Sequence, residues 1–358
     1  MSNFHGNPRP ACLKNVWSIL LTSLAIVVST LGVAGAAGSN ITSFDYPGAT
    51  LTAGVAINQS AQVAGIYTIG SQAHGFLRTE SGAFTSFDPP SAISTGVYGI
   101  NDSGEVVGNY SYNHTQSDGF IRSASGSFTI VDVSGSGYGT TVAGVNDLGE
   151  TCGYWFDASD VAHGFVRDGN GSLTSFDVTG AARTYPTHIN AGGQVAGEYL
   201  DSTDNQHGFV RDQSGNITAF DAPGAGTGSG EGTVVNGINS SGEIVGVYAD
   251  SDFVWHGYTR DSAGNFTTFN APHAGGVSQG TLAQGLNDSG LVIGYVVTGA
   301  GSRISFTRNG ADSFTMFNAP NAGTAASTGT AANAVNNSGT STGSYTDAEA
   351  KTHGFIRF

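Results

Sequence analysis

The residue types best suited to chemistry lie close together in one stretch, residues 182–190, with the sequence ARTYPTHIN. Arg183 supplies a cation, Tyr185 a hydroxyl group and His188 an imidazole, the side chain used most often in acid–base catalysis. All three are candidate ligand-binding residues, and in an enzyme they are candidate catalytic residues. A local packing requirement is the alternative explanation for this stretch.

Aromatic side chains form a second candidate group. Tyr98, Trp155 and Trp255 have flat faces that stack on sugar rings or grip a peptide. We predict that they take part in ligand binding. Burial in the core is the alternative for each of them taken singly.

Acidic side chains recur in pairs at comparable places. The pairs are Asp157 and Asp160, Asp201 and Asp204, Asp250 and Asp252, and Asp347 and Glu349. Closely spaced oxygens bind Ca²⁺ weakly, but the fuller spacing of a calcium loop is absent, which favours solvated turn residues. We therefore predict no cofactor, and weak Ca²⁺ binding is the alternative.

These candidates are embedded in a chain built from three repeated sequence words, and successive copies of each word lie 43 to 49 residues apart. The first word, GINDSGEVVG, contains Asn58, Asn101, Asn146, Asn190, Asn239, Asn287 and Asn336. The second, HGFLR, contains Arg78, Arg122, Arg167, Arg211, Arg260, Arg308 and Arg357. The third, FTSFD, ends at Asp45, Asp88, Asp132, Asp177, Asp221, Asn270 and Asn318.

A period in the forties made only of strand-like segments is typical of a β-propeller. Between residues 96 and 133, the segments GVYGIN, GEVVGNY, GFIRS and FTIVDV provide four strands joined by short turns. A solenoid requires helices or shorter repeats. We therefore predict an all-β fold, a seven-bladed β-propeller with four-stranded blades.

The two ends of the chain each hold part of one blade. Residues 41–45 (ITSFD) are an outer-strand word, and residues 353–358 (HGFIRF) are a third-strand word. We predict that the N-terminal strand joins the C-terminal blade and closes the ring, because this removes exposed strand edges. Turn geometry then places Arg357 opposite Ile41, Phe355 opposite Ser43 and His353 opposite Asp45.

The repeated histidines and arginines are predicted to be structural. The same register places His74 opposite Asp88, and equivalent pairs follow in later units, namely His163 and Asp177, His207 and Asp221, and His256 and Asn270. A single site does not need so many identical copies. The longer connections, from second to third strand and from outer strand to the next blade, differ in every unit, so we expect the ligand on the face where they emerge.

Composition narrows the classes of partner. The chain has 27 acidic and 12 basic residues, a net charge of −15, so there is no basic stripe for nucleic acid or an anionic membrane. Charged residues are only 11% of the chain, against about 25% in an ordinary domain. A glycan or a protein remains the expected partner, and we expect a monomer.

The first 36 residues have the features of an export signal. Arg9 and Lys14 precede an apolar run from Val16 to Val33, and Ala34, Gly35 and Ala36 suit a signal peptidase. We predict a cleaved signal peptide at 1–36, a propeller domain at 37–358 and a secreted or periplasmic location, with a retained membrane anchor as the alternative. After cleavage Cys152 is alone and cannot form an internal disulfide.

The alternation of HGF[LVI]R, FTSFD and GIN[DS]SGE[VI]VG over residues 41–358 resembles the HAF-type extracellular repeat proteins. The resemblance implies an exported β-propeller-like protein and supplies no catalytic residues. No nucleophile elbow, HExxH, P-loop or dinucleotide fingerprint is present in the sequence. We therefore predict a secreted binding or scaffolding module, with a polysaccharide lyase or hydrolase as the alternative.

Overall fold

The computed structural model describes residues 40–113, 116–133, 138–310 and 312–358. The predicted signal peptide, residues 1–36, lies outside them. Every regular element in these ranges is a β-strand, so the all-β prediction is confirmed. No helix in the described ranges is long and apolar enough to cross a membrane.

The strands fall into four classes by their place in the repeat. The first strands are β2 (Leu51–Ile57), β6 (Ser94–Ile100), β10 (Gly139–Val145), β14 (Arg183–Ile189), β18 (Gly232–Ile238), β22 (Gly280–Leu286) and β26 (Gly329–Val335). The second strands are β3 (Val63–Ile69), β7 (Val106–Ser111), β11 (Thr151–Phe156), β15 (Val195–Leu200), β19 (Ile244–Ala249), β23 (Val292–Val297) and β27 (Ser341–Thr346).

The third and fourth strands complete each unit. The third strands are β4 (Gln72–Arg78), β8 (Ser117–Arg122), β12 (Ala162–Arg167), β16 (Gln206–Arg211), β20 (Trp255–Arg260), β24 (Arg303–Arg308) and β28 (Thr352–Arg357). The fourth strands are β1 (Ile41–Phe44), β5 (Phe84–Phe87), β9 (Phe128–Val131), β13 (Leu173–Phe176), β17 (Ile217–Phe220), β21 (Phe266–Phe269) and β25 (Phe314–Phe317).

Within a unit, each strand pairs antiparallel with the next one along the chain, as β2 to β5 illustrate. The first strands also contact one another in chain order, and β26 contacts β2. Antiparallel order places the turns from first to second strand and from third to fourth strand at one end of every unit. We call this end the turn face and the opposite end, with the longer connections, the loop face.

The two ends of the chain pair in the predicted register. Strand β1 lies antiparallel to β28, with Ile41 opposite Arg357 and Ser43 opposite Phe355. The His353 Nδ1 atom lies 2.9 Å from Asp45 Oδ2. The N-terminal strand therefore serves as the fourth strand of the last unit.

A bulge in every first strand explains a repeated glycine. The register against the second strand shifts by one residue, between Gly54 and Ala56 in β2 and at the corresponding place in the other six first strands. Next to the bulge, a Cβ on Gly65 in the second strand would collide with the carbonyl oxygen of Ala53 in the first strand. Glycine is required at this close approach.

Seven buried asparagines link all the units through their side chains. Asn58, the residue after β2, donates from Nδ2 to the carbonyl of Asn101 in the next unit at 3.2 Å. The pattern continues through Asn101, Asn146, Asn190, Asn239, Asn287 and Asn336. Asn336 donates to the carbonyl of Asn58 at 3.0 Å, which returns the series to its first member. We call these seven residues the asparagine ring.

Arginine and phenylalanine side chains join neighbouring units. The guanidinium group of a third strand lies over a phenylalanine ring in the fourth strand of the preceding unit. The pairs are Arg78 and Phe44, Arg122 and Phe87, Arg211 and Phe176, Arg260 and Phe220, Arg308 and Phe269, and Arg357 and Phe317. Strand β9 ends in Val131 instead of phenylalanine. A cation–π contact is worth about 1 kcal/mol, so the repeated arginines stabilise the contacts between units.

Removing β1 is expected to destabilise the protein and cause aggregation. A chain that begins at Tyr46 lacks the partner of β28 and the buried Phe44 ring, and so exposes an unpaired strand edge. A chain that begins at Asn40 keeps both and is the control. Size-exclusion chromatography and thermal melting measure the difference. Two chains of equal stability and monodispersity would contradict the pairing.

Replacing a member of the asparagine ring is expected to cost about 3 kcal/mol of unfolding free energy. Asn146→Asp keeps the shape but removes the amide that donates to Asn190 O and Glu150 Oε2, and it places two carboxylates together. The matched control is Asn170→Asp in an exposed turn, expected to change stability by less than about 0.5 kcal/mol. Urea unfolding of both variants checks this, and similar small effects would refute the role assigned to the ring.

Candidate functional site

The repeated histidines make the predicted contact with an acid or amide, and they also make a stacking contact that the sequence did not predict. The predicted Nδ1 partner is present in five units, at 2.8 Å for His74 and Asp88 and at 2.7 Å for His256 and Asn270. The remaining three pairs are His163 and Asp177, His207 and Asp221, and His353 and Asp45. Each imidazole also stacks on a second-strand ring, as His353 does on Tyr345 with ring centroids 4.8 Å apart. The predicted structural role of these histidines is supported by these contacts.

The first acid of each acid pair belongs to this structural arrangement. Asp347 accepts hydrogen bonds from the backbone N–H groups of Glu349 and Lys351, and its Oδ2 lies 3.1 Å from His353 Nε2. Asp157, Asp201 and Asp250 act in the same way. Desolvation acts to raise the pKa of Asp201, but hydrogen bonds from Thr203, Asn205 and His207 lower it to about 2. These acids cap the turns, and weak Ca²⁺ binding stays a prediction.

Arg183 lies at the start of β14, at the loop face. Desolvation lowers the pKa of its guanidinium, but interactions with Tyr185, Asp160 and Asp204 outweigh this, so the pKa lies above its ordinary value. Asp160 and Asp204 are the second acids of two acid pairs. Two carboxylates from neighbouring connections therefore act electrostatically on this guanidinium group.

Tyr185 is fully buried below Arg183. It packs against Ala162 and Leu200, and its ring meets the edge of Tyr154 at 5.1 Å with an interplanar angle of 85°. Its buried hydroxyl group interacts with the guanidinium group of Arg183, two residues earlier in the same strand. Burial raises the pKa of Tyr185 to about 12.

Glu198 stands directly opposite Tyr185 in the antiparallel pair of β14 and β15. Its carboxyl group faces the backbone N–H of Val235 in the next unit, and Tyr154, Tyr185 and Tyr258 are its titratable neighbours. Desolvation raises the pKa of Glu198 to about 7, and the Val235 N–H acts in the opposite direction. A carboxyl group with a pKa near neutrality marks a candidate functional position.

Tyr98, which lies in the second unit, is a further neighbour of Tyr154. It is the bulged residue of β6, and it interacts electrostatically with Tyr154. Burial raises the pKa of Tyr98 well above its ordinary value, yet both Tyr98 and Glu198 keep part of their surface accessible. Both side chains are therefore half-buried next to the tyrosine rings of this group. We call Tyr98, Tyr154, Tyr185 and Glu198 the channel cluster.

The other predicted site residues lie elsewhere. His188 is close to the turn-face end of β14, where its Nδ1 lies 2.9 Å from Thr187 Oγ1 and burial lowers its pKa to about 4. Trp155 stacks on His163 and donates to Ser175 Oγ at 3.2 Å. Trp255 packs against the core around Val234 and Phe306. The structure therefore brings Arg183, Tyr185 and Tyr98 near Tyr154 and Glu198, and places both tryptophans in structural contacts.

Sequence reasoning missed Glu198, although a signal existed. Glu198 occupies the fourth position of a second strand, where the other units have Ile66, Asn109, Tyr154, Val247, Tyr295 and Ser344. Among these seven residues only Glu198 carries an acid, and the three-word repeat does not include this position. Aligning second strands by their invariant glycine would have shown the departure.

A separate cavity of about 190 Å³ lies at the turn face. It is lined by asparagine-ring members such as Asn101 and Asn146, by the apolar Ile100, and by Asp102 and Asp147. Asp102 and Asp147 accept hydrogen bonds from the backbone N–H of the neighbouring turn, at 2.8 Å in each case. The cavity is therefore bounded by the groups that hold the turns together.

Comparison with solved structures places the fold among the β-propellers. Virginiamycin B lyase from Staphylococcus aureus, solved as an inactive variant, is 13% identical with a TM-score of 0.58, covering 90% of this chain and 100% of that one. The β-propeller domain of the Trilobed protease from Pyrococcus furiosus is 8% identical with a TM-score of 0.56, covering 86% and 92%. No protein-family model and no curated protein matches the chain. These identities show the fold alone, and the resemblance to HAF-type proteins stays a prediction.

The environment of Glu198 predicts a pH-dependent effect on stability. Because the folded-state pKa of about 7 lies above the ordinary carboxyl value of 4.5, this group's stabilising contribution is present below about pH 4.5 and is lost as the pH rises through 7. Glu198→Gln is therefore expected to raise the unfolding free energy by up to about 3 kcal/mol near pH 8.5 and to have little effect near pH 4.5.

Thermal melting at both pH values measures the effect, with Glu80→Gln in an exposed turn as control. The control is expected to melt like the wild type throughout. A Glu198→Gln difference that is the same at both pH values would contradict the burial assigned to this carboxyl group.

Proposed function

We propose that the protein is an exported, seven-bladed β-propeller, closed by β1, that binds glycans through its loop face. The blade count and the closure are supported by seven four-strand units, by the pairing of β1 with β28 and by the asparagine ring. The signal-like residues 1–36 support export to the periplasm or the medium. The resemblance to the HAF-type repeat proteins is consistent with this assignment.

The observation that carries the binding proposal is the difference between the two faces. Turns on the turn face are short and tied to one another by the asparagine ring. Connections on the loop face vary and carry exposed aromatic residues, with Tyr112, Tyr138 and Phe253 exposed by 37%, 50% and 42%. A rigid scaffold that presents variable, partly aromatic loops is the usual arrangement of a binding protein.

A glycan fits this face better than a protein partner. The exposed aromatic residues lie in different connections and are interspersed with acids and amides, whereas protein partners favour contiguous apolar patches. Sugar rings stack on single aromatic faces and hydrogen-bond to carboxylate and amide oxygens. The chain's net charge of −15 and the carboxylates of Asp160 and Asp204 near Arg183 favour uncharged over anionic glycans.

Glu198 favours a second candidate function, a polysaccharide lyase or hydrolase. A carboxyl group with a pKa near the working pH is suited to proton transfer, and the channel cluster places hydroxyl groups beside it. Of the candidate catalytic residues Arg183, Tyr185 and His188, His188 is poorly suited to proton transfer, because its low pKa makes it a weak base. Glu198 therefore replaces His188 as the acid–base candidate in this alternative.

One purified sample separates the candidates when it is used for both a glycan array and a turnover screen. Binding without product supports the binding protein, and product formation that Glu198→Gln abolishes supports the enzyme. Tyr138→Ala and Phe253→Ala are each expected to weaken glycan binding about tenfold. Leu148→Ala on the turn face, where Leu148 is 65% exposed, is the matched control and should bind normally. Absence of glycan binding, or equal loss in the control, would refute the proposal, and binding only to proteins would favour the other partner class.

A further inference from the structure

Three histidines at the loop face lie between two acidic side chains, with one acid at each ring nitrogen. His353 Nδ1 lies 2.9 Å from Asp45 Oδ2, and His353 Nε2 lies 3.1 Å from Asp347 Oδ2. The same arrangement, with Nε2–oxygen distances of 3.4 and 3.7 Å, is formed by His207 with Asp221 and Asp201, and by His163 with Asp177 and Asp157. We call these three sets the histidine bridges.

Each bridge joins a connection between second and third strands to the end of a fourth strand. Asp347 accepts two backbone N–H groups within the connection 347–351 and so caps it. Asp45 directly follows the fourth strand β1. The His353 ring, stacked on Tyr345, therefore fastens the connection to the rest of its unit.

Both hydrogen bonds of a bridge require a proton on each ring nitrogen, because an ionised carboxyl group has none to donate. Desolvation acts to raise the pKa of Asp347, but hydrogen bonds that include the one from His353 lower it overall, so this acid is ionised above pH 5. A neutral imidazole has one N–H group and one lone pair, and the lone pair then faces a carboxylate. Imidazole ordinarily changes its charge between pH 5 and 8, and one hydrogen bond of the bridge is lost with the proton.

We propose that the histidine bridges make the loop face sensitive to pH, with the connections 157–161, 201–205 and 347–351 fixed at acid pH and released as the pH rises. The second hydrogen bond is present while the ring is charged and is lost as the ring becomes neutral, which gives the direction of the effect. The proposal concerns the scaffold itself and does not depend on the ligand.

The other groups that face the bridges do not change charge in this interval. They are Tyr345 and Lys351 at His353, Tyr199 and the amide of Asn205 at His207, and Trp155 at His163. Ordinary tyrosine and lysine side chains keep their charge between pH 5 and 8, and tryptophan and amides do not titrate. The response is therefore assigned to the imidazole rings.

Two other units provide a comparison within the same chain. His256 lies between Asp250, at 3.0 Å, and the amide of Asn270, at 2.7 Å. Because an amide can turn to present either its oxygen or its NH₂ group, a neutral His256 can satisfy both partners. In β24 the position of the histidine is occupied by Ile304, which cannot form a bridge. Neither unit is expected to respond to pH.

The test is hydrogen–deuterium exchange of the full chain at pH 5.5 and 8.0, read by mass spectrometry and corrected for the intrinsic exchange rate. Between these pH values, the protection of 157–161, 201–205 and 347–351 is expected to fall at least about threefold, the effect of one lost hydrogen bond. The connections 250–254 and 298–302 are expected to keep their protection.

Two substitutions exchange the arrangements. Asp45→Asn gives the last unit an acid and an amide, and is expected to abolish the response of 347–351 alone. Asn270→Asp gives the opposite change and is expected to create a response in 250–254. Glu349→Gln removes an exposed acid from the same connection as Asp347 without touching the bridge, so it is the matched control and should follow wild type.

An equal response in all five connections, or none in wild type, would overturn the proposal. So would a response of 347–351 that survives Asp45→Asn. Melting curves at pH 5.5 show whether each variant is folded. Since Asn270→Asp adds an interaction, its failure to create a response counts against the proposal even where Asp45→Asn does not fold.

Discussion

The hydrogen bonds of the asparagine ring are the constraint on which the rest of the structure depends. Each amide both caps its own turn and reaches the carbonyl of the next unit, as Asn146 does toward Leu148, Glu150 and Asn190. Since every member is buried, an unpaired amide would cost about 1–3 kcal/mol, so the units hold one another in a fixed spacing. The bulge in each first strand and the second-strand glycine recur in every unit held at that spacing, and the arginine–phenylalanine contacts join most neighbouring units.

The turn face and the loop face differ in how many of their side chains are free to contact a ligand. The turn-face polar groups bond mainly to each other, so this face has little capacity left for a ligand. At the loop face, the first acid of each pair is used to cap a turn and hold a histidine, while the exposed aromatic residues Tyr112, Tyr138 and Phe253 remain available. The same repeat therefore produces a closed structural end and a variable end, without any change in its three words.

The sequence predicted the repeated features well because each has a local physical cause. Turn glycines such as Gly82, with φ of 95°, determined the register, and that register placed His74 beside Asp88 and Ile41 opposite Arg357. Only part of the channel cluster could be predicted from the sequence. Tyr98 and Tyr185 were chosen for their chemistry, but Glu198 acquires its properties from Tyr154 and Val235 of adjacent units, contacts that spacing along one strand does not encode. The contacts of Trp155 and Trp255 also lie on other strands, and their predicted part in ligand binding stays a prediction.

Position within the repeat separates structural from functional chemistry. Residues present in all or most units, such as the ring asparagines and the repeated histidines, already have their hydrogen-bonding partners in neighbouring strands, so they have little capacity left for a ligand.

The fourth residue of the second strand is different, because it lies against the next unit's first strand and varies from Ile66 to Asn109 to Glu198. No repeated contact fills that position. A single acid placed there is surrounded by tyrosines and apolar groups, and its raised pKa is the direct consequence of a charge introduced where the repeat supplies no cation. Chemistry in this fold therefore arises from departures at inter-unit positions, where one substitution changes the electrostatics and leaves the hydrogen bonds that hold the units together intact.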